Sequence, residues 1–202
     1  MRVKSKIFQT IIKPIEYSLI HKMKHQIASN ANGKVLELGN HTHYNMNYYN
    51  CMNVKEVSIV ANQISDIDNK VYPNKGIIYT QREGMAENLP YLDNTFDSVV
   101  FSMLLCSAYN PKQGMKEIRR VLKNNGRIYF VEHVRPKNPI LRKVIDHIDG
   151  HWYRMSGGCS LNRHSIKLIC DSGFEIDQLN TAINGMIIAG SGHVEKVNGL
   201  DC

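Results

Sequence analysis

Lys34-Val-Leu-Glu-Leu-Gly-Asn-His-Thr-His43 is the stretch on which the reading of this chain turns. Val35, Leu36 and Leu38 surround Glu37, and Gly39 breaks the apolar run. A short apolar run stopped by glycine predicts a buried parallel strand ending in a tight turn toward a helix. In an open α/β sheet, the crevice outside such a strand end is where nucleotide-like ligands bind.

Working outward, four more runs read as strands: Val57-Ser-Ile-Val60, Ile77-Ile-Tyr-Thr80, Phe96-Asp-Ser-Val-Val-Phe-Ser-Met103 and Ile128-Tyr-Phe-Val131. The fourth is nearly continuous in apolar residues, as central parallel strands are. Between them, residues 43–50 stand where a first crossover helix is expected, although their Asn and Tyr content gives poor helix preference. A short helix is predicted over 64–71. Another opens at Pro111 and carries Met115, Ile118, Val121 and Leu122 on one face. Strands alternating with helices predict an open, mostly parallel α/β sheet with helices on both faces.

Upstream, Phe8, Ile12, Ile15, Leu19, Met23 and Ile27 recur at helical spacing over residues 5–29. Pro14 predicts a break at Lys13 and a fresh helix start, and Gly33 is a candidate C-terminal cap. Residues 1–34 hold seven basic side chains against Glu16 alone, nearly all of the net charge of +7. Such a basic head suits an anionic partner, a membrane surface or a nucleic acid, or else is a solvated helix covering the fold. Nucleic acid is the weaker of these readings, because no basic-aromatic interleaving accompanies the charge.

Downstream, residues 136–160 form an insertion with a helix near 141–148 and the only Trp, followed by Gly157-Gly-Cys159. Ser160 and Asn162 are candidate caps for a helix over 162–172, and residues 174–179 and 185–190 read as a closing pair of strands. With 202 residues, 43% hydrophobic and 21% charged, the chain suits one globular domain. No apolar run reaches membrane-spanning length, and no cleaved signal peptide is expected. The five cysteines, odd in number and without C-x-x-C spacing, point to reduced thiols and to a cytoplasmic chain, with peripheral membrane contact through the basic head.

Several segments together carry a family resemblance. They are the strand around Glu37 and Gly39, Gly84-Met-Ala-Glu-Asn-Leu-Pro-Tyr91 and Asn94-Thr-Phe-Asp-Ser-Val-Val100. Leu104-Leu-Cys-Ser107, Glu117-Ile-Arg-Arg-Val-Leu-Lys-Asn-Asn-Gly126, Phe130-Val-Glu-His-Val134 and Gly158-Cys-Ser-Leu-Asn-Arg163 complete the set. In this order they resemble class I S-adenosylmethionine-dependent methyltransferases of the type 11 branch, which includes quinone, phospholipid and thiol methyltransferases. The resemblance covers residues 33–190 and implies a Rossmann-like, seven-stranded fold. It divides the chain into a helical cap over 1–32 and a methyltransferase domain over 33–202. It also implies S-adenosylmethionine as cofactor and a small-molecule or lipid-like acceptor, methylated mainly through proximity and orientation.

Residue by residue, the resemblance sets Glu37 and Gly39 at the amino-acid end of the cofactor, with Asn40 and His41 in the following loop. Ala61 and Asn62 fall at the ribose, Met85 and Ala86 at the adenine, and Ser102 and Met103 at the reacting sulfur. His133 becomes the candidate base, and Trp152 and Cys159 candidates for the substrate lid. Three positions depart from the pattern: His41 and His43 replace loop glycines, Ala61 replaces the ribose-binding acid, and Met85 an adenine-side acid. Two readings follow. In one, Asn40, His41 or Asn62 replaces the lost contacts and the enzyme works; in the other, the fold serves as a binding or regulatory module. No metal is expected, since His41, His43 and Cys51 supply no third ligand at fixed spacing, and His147 and His151 lack an H-E-x-x-H pattern. Cys106 reads as an inert core thiol and Cys159 as the more reactive one.

Overall fold

The computed structural model describes residues 13–39, 45–62 and 76–195. In chain order it contains α1 (Lys13–Ser29), β1 (Gly33–Leu38), β2 (Val54–Ala61), β3 (Ile78–Glu83) and β4 (Phe96–Ser102). There follow α2 (Pro111–Val121), β5 (Leu122–His133), α3 (Pro139–Ser156), α4 (Ser165–Asp171), β6 (Phe174–Ala182) and β7 (Ile187–Val194). The strands form one sheet in the order β3-β2-β1-β4-β5-β7-β6. All pairings among β1 to β5 are parallel, and β7 runs antiparallel to both neighbours.

Strand alternation sends side chains to two cores. Leu36, Leu38, Phe101, Ile128 and Phe130 face α2 and α4, meeting Met115, Ile118 and Ile169. Val35, Val57, Ile59, Val100, Tyr129 and Val131 face the other way, where Ile20, Ile27 and Ala28 of α1 pack with Met46 and Tyr49. Each fully buried aliphatic or Phe side chain contributes roughly 1.5–3 kcal/mol. The N-terminal helix is therefore a structural layer of the sheet. Its charge is divided: Lys22 is exposed and Lys24 is buried.

Beneath α1 the chain is clasped to the sheet. Ser98 Oγ accepts from Asn32 N–H at 3.1 Å and donates to Asn32 O at 2.8 Å, while Asp97 accepts from Lys34 N–H at 2.9 Å. Pairing of Leu38 with both Val60 and Phe101 brings the carboxyl ends of β1, β2 and β4 level. That levelling builds the crevice in which the candidate site lies.

Several local expectations are corrected. Residues 45–53 form turns where a crossover helix was expected, in keeping with their Asn-rich composition. Gly33 opens β1 at a positive φ of 67° instead of capping α1, which ends at Ser29. β5 begins at Leu122, and residues 123–126 form a bulge inside it, where the register jumps from Phe96↔Leu122 to Ser98↔Arg127. The helix expected near 141–148 continues to Ser156 and stops at Gly157, whose φ of 81° suits a left-handed cap. α4 starts at Ser165 with no side-chain cap, because Ser160 bonds to Asp149 and Asn162. The closing strands extend to Ala182 and Val194, joined through Ile183, Asn184 and Gly185 at positive φ. The helix expected over 64–71, the chain before residue 13, and Asn40, His41 and His43 lie outside the described residues.

Candidate active site

The crevice is built from strand ends. Gly39 follows β1 with φ 128°, and a Cβ placed on it would lie 2.8 Å from the carbonyl oxygen of Ser102. Only glycine lets the ends of β1 and β4 approach this closely. Ala61 ends β2 and Asn62 follows it, and Gly84 N–H donates to Ala61 O at 3.0 Å, bringing the loop after β3 alongside. Leu38, Gly39, Ala61, Asn62, Met85, Ala86 and Glu87 line one side of the cleft. Leu104, Ser107, Ala108 and Tyr109 line the other. Asn110 N–H donates to Glu87 Oε1 at 3.0 Å and ties the two sides together.

The loop carrying Met85 and Ala86 is held from behind by α2. Glu117 Oε2 accepts from Leu89 N–H at 2.9 Å, and Arg120 donates to Glu117, to Asp93, and to the carbonyls of Leu89 and Tyr91. Hydrogen bonding to Arg120 keeps the Glu117 carboxyl below its ordinary pKa. A planar guanidinium can satisfy four acceptors at once, which a lysine cannot.

Glu37 is fully buried and does not line the cleft. It accepts from Tyr49 OH at 2.6 Å and from Asn45 Nδ2 at 2.9 Å, so it organises residues 45–49 from beneath. Burial raises its pKa to about 8, against the opposing effects of the Tyr49 bond, nearby Lys24 and the Asn45 bond. Burial also pushes the Tyr49 phenol well up, with Glu37 adding to it.

At the end of β4, Ser102 is buried and its Oγ has no hydrogen-bond partner among the described residues. Met103 follows at φ 52°, an unfavourable conformation for a side chain of its kind, held by its N–H to Val131 O at 2.8 Å. The next turn is pinned by Glu132, which accepts the N–H groups of Leu104, Leu105 and Cys106 at 2.7, 2.8 and 3.2 Å. Burial raises Glu132 to about 7, with those amides opposing.

His133, the candidate base, is buried, and its Nδ1 lies 3.0 Å from Cys159 Sγ. Cys159 Sγ in turn lies 3.1 Å from Cys106 Sγ, so the thiol expected to be inert has a partner. Trp152, on α3, sets its ring edge-on to His133 at 6.3 Å between centroids. The structure thus gathers Gly39, Ala61, Asn62, Met85 and Ala86 around the cleft. His133, Trp152 and Cys159 form a second group beside the turn after β4.

Sequence reasoning missed Glu132, Asn45, Tyr49 and the Glu117–Arg120 clamp. Glu132 had a legible signal, a carboxylate inside the apolar run Phe130-Val-Glu-His-Val134, since buried acids are rare without partners. Asn45 and Tyr49 had none.

Comparison with known proteins agrees with this geometry. Residues 36–130 match the Methyltransf_11 family, a methyltransferase domain. Demethylmenaquinone methyltransferase of Chlorobaculum parvum is 37% identical over 78 residues, 39% of this chain and 31% of that protein. Human thiol S-methyltransferase TMT1A is 34% identical over 86 residues, 41% of this chain and 34% of that one. The chain spans about a third of the length of these curated relatives. Among solved structures, a putative methyltransferase bound to the Haloferax volcanii Trm112 activator superposes with TM-score 0.67 at 14% identity. That superposition covers 96% of this chain and all of that one, and shows a shared fold. The motif order and the seven-stranded topology agree with that match, and the chain resembles the class I methyltransferases, type 11 branch, whose cofactor is S-adenosylmethionine.

Proposed function

We propose that the chain transfers the methyl group of S-adenosylmethionine to a small-molecule acceptor. The observation that carries this reading is the cleft at the ends of β1, β2 and β4. There Gly39 lets the ends of β1 and β4 close together, and Ser102, at the end of β4, has a buried Oγ without a partner among the described residues. Such an orphaned oxygen is costly to leave unpaired, and a bound polar group would satisfy it. The residues fit the cofactor in outline. Gly39 and Ser102 would meet its amino-acid end, Asn62 and Glu87 would offer polar contacts to the ribose that Ala61 cannot, and Met85 and Ala86 would lie along the adenine. Bound there, the cofactor supplies an electrophilic methyl; the chain's own part is to hold donor and acceptor in line and exclude water. Met103 would border the reacting sulfur, and Trp152 with α3 would shape the acceptor side. His133 is assigned no base role, because its ring is turned to Cys159.

The acceptor class follows the relatives' names, a quinone precursor or a thiol, and uncharged apolar thiols are the first compounds to try. Among the described residues no helix is long and apolar enough to cross a membrane. The chain would act in the cytoplasm, with Arg2, Lys4 and Lys6 drawing it to anionic membrane where apolar acceptors dissolve.

Titration calorimetry with S-adenosylmethionine and S-adenosylhomocysteine tests the core of this reading. Micromolar binding, weakened at least tenfold in Gly39→Ala, is expected. No heat at millimolar ligand would overturn it. Co-sedimentation with anionic vesicles should be salt-sensitive and fall when Arg2, Lys4 and Lys6 are changed to Glu; unchanged sedimentation would remove the membrane from the account.

A further inference from the structure

We propose that Cys106, His133 and Cys159 form a binding site for one thiophilic divalent cation of the zinc class. The three ligand atoms lie within 4.8 Å of one another, although they come from three separate segments of chain. Cys106 sits in the turn after β4, His133 is the last residue of β5, and Cys159 follows the Gly157-Gly158 pair that ends α3. Two sulfurs and an imidazole nitrogen are the ligand set that selects zinc over magnesium or calcium, which take oxygen.

The surroundings are those of a metal site. Cys106 and His133 are buried and Cys159 is half-buried, which fixes two ligands and leaves the third on the side open to solvent. Glu132 holds the Cys106 backbone in place through its amide, and the His133 backbone N–H points at Cys106 Sγ. Trp152 sets its ring at right angles to the imidazole, 6.3 Å away between centroids. Tetrahedral coordination sets thiolate sulfurs about 3.8 Å apart at zinc–sulfur distances of about 2.3 Å. Cys106 and Cys159 would therefore part by roughly 0.7 Å from their present 3.1 Å. The glycine pair before Cys159, both residues at positive φ, gives that segment a conformation set by backbone alone.

Each cation bound would displace two thiol protons to solvent and leave a neutral two-thiolate, one-imidazole complex. The group contributes three protein ligands, and the fourth tetrahedral position falls to water or another small ligand.

Cobalt(II) is the probe. The full chain, kept reduced by a phosphine without oxygen, should bind one cobalt and develop the thiolate-to-cobalt charge-transfer band in the near ultraviolet, with tetrahedral bands in the visible. Stoichiometric zinc should abolish them. Cys159→Ser and Cys106→Ser should each lose the charge-transfer intensity, while Cys51→Ser and Cys170→Ser, remote from the cluster, retain it. Zinc should also raise the unfolding midpoint of the parent chain and leave that of Cys159→Ser unmoved. Because Cys159 is half-buried, that variant decides the matter even if Cys106→Ser does not fold. No charge-transfer band in the reduced parent chain, or a band surviving in Cys159→Ser, overturns the proposal. So does a chain whose two thiols only join as a disulfide when the reductant is removed.

Discussion

Replacing Glu37 with Gln should change how stability depends on pH more than it changes stability at any one pH. Burial raises Glu37 from 4.5 to about 8, so the native state holds its proton more tightly than the unfolded chain does. The stabilisation this provides is fully present below pH 4.5 and is lost as pH rises through about 8. A shift of that size, at about 1.36 kcal/mol per unit, corresponds to about 5 kcal/mol between the two ends of the window. Gln is neutral throughout and nearly the same shape. It can accept from Tyr49, and its amide can donate to Asn45 Oδ1, a buried oxygen without a partner among the described residues, once the Asn45 side chain turns over. Near pH 5 the variant should therefore lie within about 1 kcal/mol of the parent chain. By pH 9 it should be the more stable of the two by several kcal/mol. Urea unfolding of both chains at a series of pH values measures the difference, in which Glu132, common to both, cancels. Parallel stability curves across the window would refute the reasoning. A variant that loses ground as pH rises would refute it more sharply, since that is the behaviour of an ionised Glu37 stabilised by Lys24.

Three further substitutions address the walls of the cleft. Gly39→Ala would thrust a Cβ to 2.8 Å from Ser102 O at φ 128°, and should cost about 3 kcal/mol in thermal or denaturant unfolding; a cost under about 0.5 kcal/mol would mean the strand ends can part. Glu132→Gln leaves an amide facing the Cys106 N–H and should cost about 1–3 kcal/mol, with faster amide hydrogen exchange at Leu104, Leu105 and Cys106. Protection unchanged at those three amides would count against their dependence on Glu132. Arg120→Met frees the loop of Met85 and Ala86 from α2. It should cost about 2 kcal/mol, the partial exposure of the guanidinium limiting the loss, and weaken cofactor binding; unchanged calorimetric affinity would show that the loop holds its place without the clamp.

Much of the architecture was legible in the residues because it rests on local signals. Val35, Leu36 and Leu38 before Gly39 marked a buried strand and its end, and Pro111 with the spacing of Met115, Ile118 and Val121 marked α2. Periodicity alone decides such elements, since each needs only neighbours three or four positions away, or two in a strand. The family resemblance had pointed to Gly39, Ala61, Asn62, Met85 and Ala86, and the fold sets them along one crevice because the carboxyl ends of parallel strands open on one edge. Ends of elements were less legible. α3 outran its predicted end because its residues remain helical up to the glycine pair. Ser160 and Asn162, suitable as caps by type, are engaged with each other and, through Ser160, with Asp149.

What the sequence by itself determined, then, is the alternation of elements, the two-sided burial of the strands, and the family resemblance they carry. Only the tertiary structure decided that the Glu37 and Glu132 carboxyls are pushed above their ordinary pKa, because desolvation depends on how completely other segments cover a carboxyl. Their partners stand 8 and 12 positions away for Glu37, and 26 to 28 for Glu132. It alone joined Cys106 to Cys159 across 53 residues and His133 to Cys159 across 26. No spacing rule reaches so far. The meeting of those three side chains is set by β4 pairing with β5 and by where α3 returns the chain to their carboxyl edge.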